Sequence, residues 1–337
     1  MAIIAPTIWR FSKSCLRPCG RRASFMNIGK VNMYRIWVIL RHTFLDCLVQ
    51  PIFGLMLLVG VVILGLFYWL PFFTLGEDTL MFKSVGLDIV TLLVLVVTLF
   101  ATSRSIFEEI EDRSMLTLMS KPVSKWEVLL GKYLGIICSA LLAVVVLGAV
   151  LTLATWSRIP RDYTLTAYTL DDVEATKLHD LRLMHLGGLI PSLILAWFQV
   201  SVLAAIGVAL STRFALVVNL PAVILIYIAG NLTRFLMPIW GDVSGSALEG
   251  KSMLTKALAQ VLVVVLPYLE HFDLRQITVG KIAMPGTQFA SDPRAYSYAA
   301  IWVAVGLALL YAICYSGLAL LGGMVMFRNR ELGGAEG

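Results

Sequence analysis

The sequence predicts an all-α integral membrane protein with six transmembrane helices. Its 337 residues are 59% hydrophobic and only 14% charged, and the mean hydropathy is +0.85. Charged residues make up about a quarter of an ordinary soluble domain. Uncharged runs of about 20 residues, the length that crosses the roughly 30 Å of hydrocarbon in a bilayer, recur along the chain. Together these observations exclude a soluble globular fold.

Six segments reach this length. The second of them, Val85–Thr102, is interrupted only by an aspartate near one end. The other five are Ile52–Leu70, Tyr133–Ser157, Leu186–Thr212, Phe214–Thr233 and Ala295–Phe327. A shorter apolar stretch, Ala257–Leu269, contains Gln260 and Pro267, and we interpret it as a re-entrant or surface-lying helix rather than a span.

The distribution of basic residues predicts that both ends of the chain are cytoplasmic, because loops rich in Lys and Arg stay on that side. With the N-terminus inside, the cytoplasmic segments hold 16 of the 27 Lys and Arg residues but only 8 of the 21 acidic residues. The chain then divides into a basic arm with an interfacial helix over 1–47, a six-span domain over 48–327 and a cytoplasmic tail over 328–337. The predicted outside loops are 71–84, 156–188 and 234–298.

The first 45 residues contain eight Lys or Arg side chains and no acid. Organelle transit peptides have such a composition, but a basic arm on the anionic cytoplasmic leaflet agrees better with the predicted orientation. Met26 and Met33 are alternative start positions. From Val31 to Leu48, apolar residues alternate with polar ones such as Arg35 and Arg41, and this pattern predicts an amphipathic helix lying in the membrane interface.

The connection between the second and third spans, Ser103–Lys132, has features of two short helices. Ser103 or Ser105 can cap a helix whose first turns carry acidic residues, which the positive end of the helix dipole favours. After a proline break, Ser124 and Glu127 form a capping box that starts a second helix leading into the third span. The Met and Leu side chains between these signals suit the docking of a soluble partner. The sequence therefore predicts a helical hairpin at the cytoplasmic face.

Four features occur in order in this hairpin: the acidic Glu108 and Glu111, the stretch Leu116–Ser120, a Lys-Pro-Val-Ser-Lys turn over 121–125, and Gly131-Lys132. In this order they resemble the loop between the second and third spans of the membrane subunits of ABC-2 type transporters. The resemblance implies a type V exporter-like permease whose hairpin contains a coupling helix that docks on a separate ATPase subunit. One departure is that Arg-Ser at 113–114 stands where many members have Gly-Thr. The docking residues implied are Glu108, Glu111, Asp112, Arg113, Ser114, Thr117, Ser120, Lys121, Pro122 and Lys125.

The stretch GSALEGKS, residues 245–252, matches the phosphate-binding pattern G-x-x-x-x-G-K-[ST]. A phosphate loop needs a buried strand before it and a nucleotide-binding domain around it, and the sequence predicts neither. The predicted topology also puts the stretch outside, away from cytoplasmic ATP. We interpret it as a chance match, so the chain is expected to be neither an enzyme nor a cofactor-binding protein, and ATP and Mg²⁺ belong to the partner subunit.

Two other functions are compatible with a membrane protein of many spans: an ion-coupled secondary transporter and a non-transporting scaffold or assembly protein. A coupled carrier is expected to hold acidic, His or Arg side chains in mid-span, and none is found there. A scaffold would need no docking hairpin. The sequence is therefore best interpreted as an exporter permease in a cell membrane, with a bacterial plasma membrane as the expected location.

The resemblance also implies a dimer with a second permease copy or a paralogue, two ATPase subunits, and contact with membrane lipid. No nucleic-acid partner is expected. The cargo path is expected at the dimer interface, where polar residues within the spans, Gln199 and Asn219, are the candidates to line it. No metal site is predicted, because Cys15 and Cys19 have no further pair of ligands nearby.

Overall fold

The computed structural model describes residues 33–70, 78–109, 124–164, 172–240, 267–273, 282–283 and 296–328. Nearly all of them are helical. The helices are α1 (Met33–Val49), α2 (Pro51–Trp69), α3 (Asp78–Ser103), α4 (Lys125–Thr164), α5 (Asp172–Ser211), α6 (Leu216–Trp240) and α7 (Tyr298–Arg328). The shorter elements are a π-helical turn (Arg104–Glu108), a 3-10 turn (Leu269–Phe272), β1 (Ile282–Ala283) and β2 (Tyr296–Ser297).

Five of the six predicted spans coincide with helices that are long and apolar enough to cross a bilayer. The remaining one, the fifth along the chain at Phe214–Thr233, coincides with α6, whose described apolar part, Leu216–Asn231, is shorter, so that span stays a prediction. The prediction of an all-α chain needs one small correction. β1 and β2 pair in parallel, Ile282 with Tyr296 and Ala283 with Ser297, but each strand is only two residues long. The five long apolar segments are Pro51–Trp69, Thr79–Phe107, Lys125–Ile159, Ala175–Ser211 and Tyr298–Met326.

Helices α4 and α5 extend well beyond the predicted spans. Each has 40 residues, so each is about 60 Å long at 1.5 Å per residue, roughly twice the hydrocarbon thickness. Much of the predicted outside loop 156–188 is therefore helical. Charged residues end an uncharged run in the sequence, but they do not end a helix that has left the bilayer and has water around it.

Helices α3, α4 and α5 form the centre of the bundle. In an apolar 18-residue stretch of each helix, 67% is buried in α3 and in α5, whereas only 17% is buried in α2 and 28% in α7. Helices α2 and α7 therefore lie at the periphery and present large apolar side chains outward, as lipid-facing helices do. The buried core includes Val90, Val94, Ala143, Leu147, Val202 and Leu203.

Polar side chains inside the bundle mostly bond to the backbone of their own helix. The hydroxyl of Thr98 donates to the Leu95 carbonyl at 2.7 Å, and that of Ser201 donates to the Phe198 carbonyl at 2.7 Å. Such bonds let a hydroxyl stay in an apolar environment without an unsatisfied donor. These residues therefore need no cargo or ion to explain them.

The interfacial helix predicted over 31–48 is confirmed as a helix by α1. Its buried side chains are Ile36, Thr43 and Cys47. On the opposite side, Trp37 is 62% exposed and Leu45 is 47% exposed. An apolar face that is left uncovered by protein suits a helix lying in the boundary of the bilayer.

The segment 267–273 reaches into the bundle from the region before α7. Leu269 is fully buried, and a Cβ at Gly230 of α6 would lie 2.7 Å from its side chain. The backbone N–H of Tyr268 donates to the hydroxyl of Tyr311 at 2.9 Å. Tyr311 lies about 20 Å from the first residue of α7, Tyr298, at 1.5 Å per residue. Most of the predicted helix 257–269 lies outside the described residues, but this position of the residues that follow favours the re-entrant alternative.

The central helices define two ends of the bundle. Helix α3 ends, and α4 begins, at the end that we call the hairpin end, where Lys132 contacts Ser105. Helix α3 begins, and α5 begins, at the opposite end, which we call the distal end, where Lys83 contacts His185. The two ends differ in the partners of their buried lysine.

Candidate functional site

The hairpin begins where α3 changes its winding. The predicted N-cap at Ser103 or Ser105 is wrong: Ser103 has helical backbone angles, φ −66° and ψ −45°, and its side chain makes no capping bond. The helix instead continues into the π-helical turn Arg104–Glu108. Ser103 is buried, and its hydroxyl oxygen accepts a hydrogen bond from Asn219 Nδ2, which is also buried, at 2.9 Å. Single π-helical turns are rare and are frequent at functional sites.

The hairpin returns through the capping box that the sequence predicts. The N–H of Ser124 donates to Glu127 Oε2 at 3.0 Å, and the N–H of Glu127 donates to the Ser124 hydroxyl at 3.3 Å. These reciprocal bonds satisfy two N–H groups that a helix start leaves unpaired. Glu127 is buried, and its Oε2 also lies 4.0 Å from Arg35 Nη1 of α1. The capping box is therefore confirmed, and it is also tied to the interfacial helix.

A buried lysine joins the two limbs of the hairpin. Lys132 of α4 is 3% exposed, and its Nζ lies 2.5 Å from Glu109 Oε2. The same ammonium donates to the carbonyl oxygen of Ser105 in the π-helical turn. A buried ammonium is tolerated when a carboxylate and further acceptors compensate its lost hydration. We call Lys132, Glu109 and Ser105 the hairpin clamp.

Helix α1 packs closely on the start of α4. A Cβ at Gly135 would lie 2.8 Å from the carbonyl oxygen of Leu40 and 2.8 Å from Thr43 Cβ. Only glycine allows the two backbones to approach so closely. Gly131 is in the same position against Ile39, with a Cβ contact of 2.9 Å. The hairpin clamp therefore rests against the interfacial helix.

A cleft of about 500 Å³ opens beside the clamp, at the junction of α1 and α2. Burial raises the pKa of the Cys47 thiol in its wall to about 11. A thiol with so high a pKa is protonated at neutral pH and is a poor nucleophile. The cleft thus offers polar contacts rather than covalent chemistry. Its lining consists of Asp46, Cys47, Val49, Gln50, Pro51, Arg104, Ser105 and Glu109.

The predicted docking residues fall mostly outside the described part of the chain. The backbone of Glu108 belongs to the π-helical turn, and Lys125 is the partly exposed first residue of α4. The two limbs on which the predicted coupling helix stands are therefore described, whereas its centre is not. The residues outside the description are Glu111, Asp112, Arg113, Ser114, Thr117, Ser120, Lys121 and Pro122.

The two candidate cargo-path residues are both buried, Gln199 in α5 and Asn219 in α6. The amide nitrogen of Asn219 donates to the Ser103 hydroxyl and, at 3.3 Å, to the Gly207 carbonyl. Its Oδ1 is buried without a hydrogen-bond partner among the described residues. Asn219 therefore joins α3, α5 and α6 close to the hairpin end.

Sequence reasoning missed the pairing within the clamp. It considered Ser105 only as a cap and Lys132 only as part of a Gly-Lys motif, and Glu109 was one of the acidic residues in the predicted first turns. A signal was available, since each is a charged residue at the border of an apolar span that faces the same connection. Pairing them needed the rotation of both helices.

These features define a membrane protein of several spans, in which the described limbs of the connection between two central helices are capped and clamped. The family model described as ABC-2 family transporter protein matches residues 27–332. The chain belongs to this family, and it is accordingly a multi-pass membrane protein of an ABC transporter, in the role of permease with an ABC ATPase subunit as partner. No curated protein matches the chain. The stretch 245–252 lies outside the described residues, and the family is that of the transport subunit rather than of the ATPase.

Proposed function

We propose that this chain is the permease of an exporter and that a separate ATPase subunit drives it by docking on the hairpin 103–132. The observation that carries the proposal is the hairpin clamp. Because Lys132 bonds to both Glu109 and Ser105, the two limbs of the hairpin cannot move independently. A displacement imposed on the hairpin is therefore transmitted to α3 and α4 together, and these helices lie in the centre of the bundle.

The π-helical turn gives this transmission a place to bend. It lies between the apolar part of α3 and Glu109, and mid-helix changes of winding often mark hinges. Binding of ATP can shift the equilibrium between two transporter states only by its differential affinity for them. A hairpin that is capped at one limb and clamped at its base loses little of that free energy in local rearrangement.

The second permease copy also belongs to the proposal. Helices α2 and α7 present uncovered apolar faces that lipid or another copy of the chain, or a paralogue, would cover in a dimer with two ATPase subunits. Export follows from the resemblance of the hairpin to the ABC-2 membrane subunits. The exposed side chains on these faces include Leu58, Val62, Leu66, Val303, Leu307 and Leu310.

The test is co-purification in mild detergent from the native host, with an ABC ATPase subunit identified by mass spectrometry. The variant is the double charge reversal Glu111→Lys, Lys121→Glu in the hairpin. Its control is Lys177→Glu, which reverses a charge at an exposed site on α5, away from the hairpin. We expect the wild type and the control to retain the ATPase and the hairpin variant to lose it.

The opposite results identify the rival functions. If no ATPase accompanies the wild type, the chain acts as a scaffold or as an ion-coupled carrier, and the docking proposal fails. If the ATPase stays bound to the hairpin variant, docking occurs elsewhere. A dependence of transport on a proton or sodium gradient, with no dependence on ATP, would select the ion-coupled carrier.

A further inference from the structure

The distal end holds a buried lysine that has no acidic partner among the residues the structure describes. Lys83 of α3 is 1% exposed, and its Nζ lies 2.9 Å from Nδ1 of His185 in α5. An ammonium can only donate, so this imidazole nitrogen accepts and the ring is neutral. Within the ranges that the structure describes, no carboxylate forms an ion pair with Lys83. Among the described residues the His185 ring is therefore its hydrogen-bond partner, and no negative charge offsets the cost of keeping the amine protonated.

A second cation lies one helical turn away on the same face of α5. Arg182 precedes His185 by three residues, and residues three apart are neighbours on a helix surface. Its guanidinium lies over the ring of Trp156 in α4, 4.7 Å from the ring centroid. Its Nε is buried and has no hydrogen-bond partner in the described structure. This donor is thus also unused.

A nearby arginine indicates what a purely structural cation looks like at the same end. Arg158 of α4 is 6% exposed, and its guanidinium donates to the carbonyl oxygens of Phe67, Tyr68 and Leu70 at 3.4 Å. These acceptors stand at the end of α2, where a helix leaves carbonyl groups unpaired. Arg158 is thus explained by its contacts, whereas Lys83 and Arg182 are not.

Burying a protonated lysine without a counter-charge is costly, so the group keeps its proton in such a place when an anion binds beside it. We propose that Lys83, His185 and Arg182 form a binding site for one anionic phosphate group. Arg182 is only partly buried and lies nearer the start of α5. In the proposed site it contacts the anion near the surface, and Lys83 contacts the anion deeper between α3 and α5. The site does not depend on the ATPase or on the hairpin.

The group could arrive on an amphiphile in the bilayer or as a free anion, and titration distinguishes the two. The purified full chain in detergent is titrated with lysophosphatidate, with inorganic phosphate, and with lysophosphatidylcholine, which has the same apolar chain but no net charge. A headgroup site binds lysophosphatidate more tightly than either of the others. A site for a free anion binds phosphate and lysophosphatidate equally.

Matched variants assign the binding to these side chains. We expect Lys83→Met and Arg182→Gln each to weaken anion binding by about 10-fold or more, the usual value of a hydrogen bond to a charged group. Lys83→Arg keeps the charge and should retain binding, and Lys177→Gln removes an exposed charge from the same helix and should change nothing. Elution volume and melting temperature identify variants that fail to fold, and Arg182→Gln then carries the test, because its side chain is partly exposed.

Two results would overturn the site. The first is wild-type protein that binds neither phosphate nor lysophosphatidate more tightly than lysophosphatidylcholine. The second is binding that Lys83→Met and Arg182→Gln weaken no more than Lys177→Gln does. A hairpin variant that loses ATPase docking but still binds the anion would support this site. That result would be independent of whether the proposed function is correct.

Discussion

The two ends of the bundle bury a lysine in opposite ways. At the hairpin end, Lys132 is 3% exposed and lies 2.5 Å from a carboxylate of Glu109. At the distal end, Lys83 is 1% exposed, and its described partner is the imidazole of His185 at 2.9 Å. Both lysines stand near the end of a central helix, and both have lost nearly all of their contact with solvent. They differ in their partners: Lys132 has a carboxylate and a backbone carbonyl, whereas the described partner of Lys83 is an imidazole.

Under the proposed anion site, this difference separates a structural cation from a ligand-binding one. Removing one partner of a buried ion pair is strongly destabilising, whereas replacing the whole pair by apolar side chains of similar volume is often neutral or favourable. The Lys132 ammonium has its counter-charge within the chain and so fixes the geometry of the hairpin. The Lys83 ammonium raises the free energy of the folded state unless something else neutralises it.

The largest effect is expected from Glu109→Ala. This change leaves the Lys132 ammonium buried without its carboxylate, and breaking buried pairs costs about 3–5 kcal/mol. Because the Glu109 side chain is 36% exposed, we expect the lower end of that range, about 3 kcal/mol. Thermal unfolding of the purified protein in detergent measures it.

The control for this prediction is the double change Glu109→Leu, Lys132→Met, which removes both charges. It should be clearly more stable than Glu109→Ala, since no charge is left buried alone. If the single variant melts at the wild-type temperature, Lys132 does not depend on Glu109, and the contrast between the two ends disappears.

A smaller effect is expected from Gly135→Ala at the hairpin end. The new methyl group would meet the backbone carbonyl of Leu40, which cannot move unless α1 shifts, and overpacking of this kind costs about 2 kcal/mol. At Gly86 of α3, toward the distal end, an added methyl group would meet only the side chain of Leu151. Gly86→Ala is therefore the matched variant.

We expect Gly135→Ala to lower the melting temperature more than Gly86→Ala, and also to expose α1 to proteolysis. Equal shifts for the two variants would mean that α1 is not held rigidly against α4. In that case the interfacial helix would take no part in holding the hairpin.

The capping box gives a third and still smaller effect. Ser124→Ala removes the acceptor of the Glu127 N–H, and losing such a cap costs about 1 kcal/mol. Ser124→Asp keeps an acceptor at the same place and should restore most of the stability. Hydrogen exchange at the first turn of α4 is the sharper measurement, because fraying there need not change global unfolding. Unchanged exchange in Ser124→Ala would show that Arg35 and the packing of α1 hold this helix start without the cap.

How much of this the sequence could predict depends on the distance over which each interaction acts. The spans follow from apolar runs, and the Ser124–Glu127 box follows from two residues three positions apart. The Lys83–His185 pair joins residues 102 positions apart, and no local pattern announces it. In helices that are apolar on every side, the sequence does not tell which face turns inward, so neither buried lysine could be assigned a partner. Ser103 was misinterpreted as a cap for a related reason: its true partner, Asn219, lies on another helix.

The smallest expected change, and the one most specific to the comparison, is that of Lys83→Met. In detergent without added anion, replacing the buried lysine by methionine, of similar volume, removes the cost of burying its amine, so the free energy of unfolding should stay unchanged or rise by up to about 1 kcal/mol. The same substitution at the hairpin end, Lys132→Met, should lower it, because Glu109 and the Ser105 carbonyl lose their donor. Melting temperatures of the two variants, measured side by side, test the sign. Adding lysophosphatidate should then stabilise the wild type but not Lys83→Met, since only a ligand bound to the folded state raises stability. If both substitutions destabilise the protein equally, Lys83 is a structural residue like Lys132, and the distal end does not bind an anion.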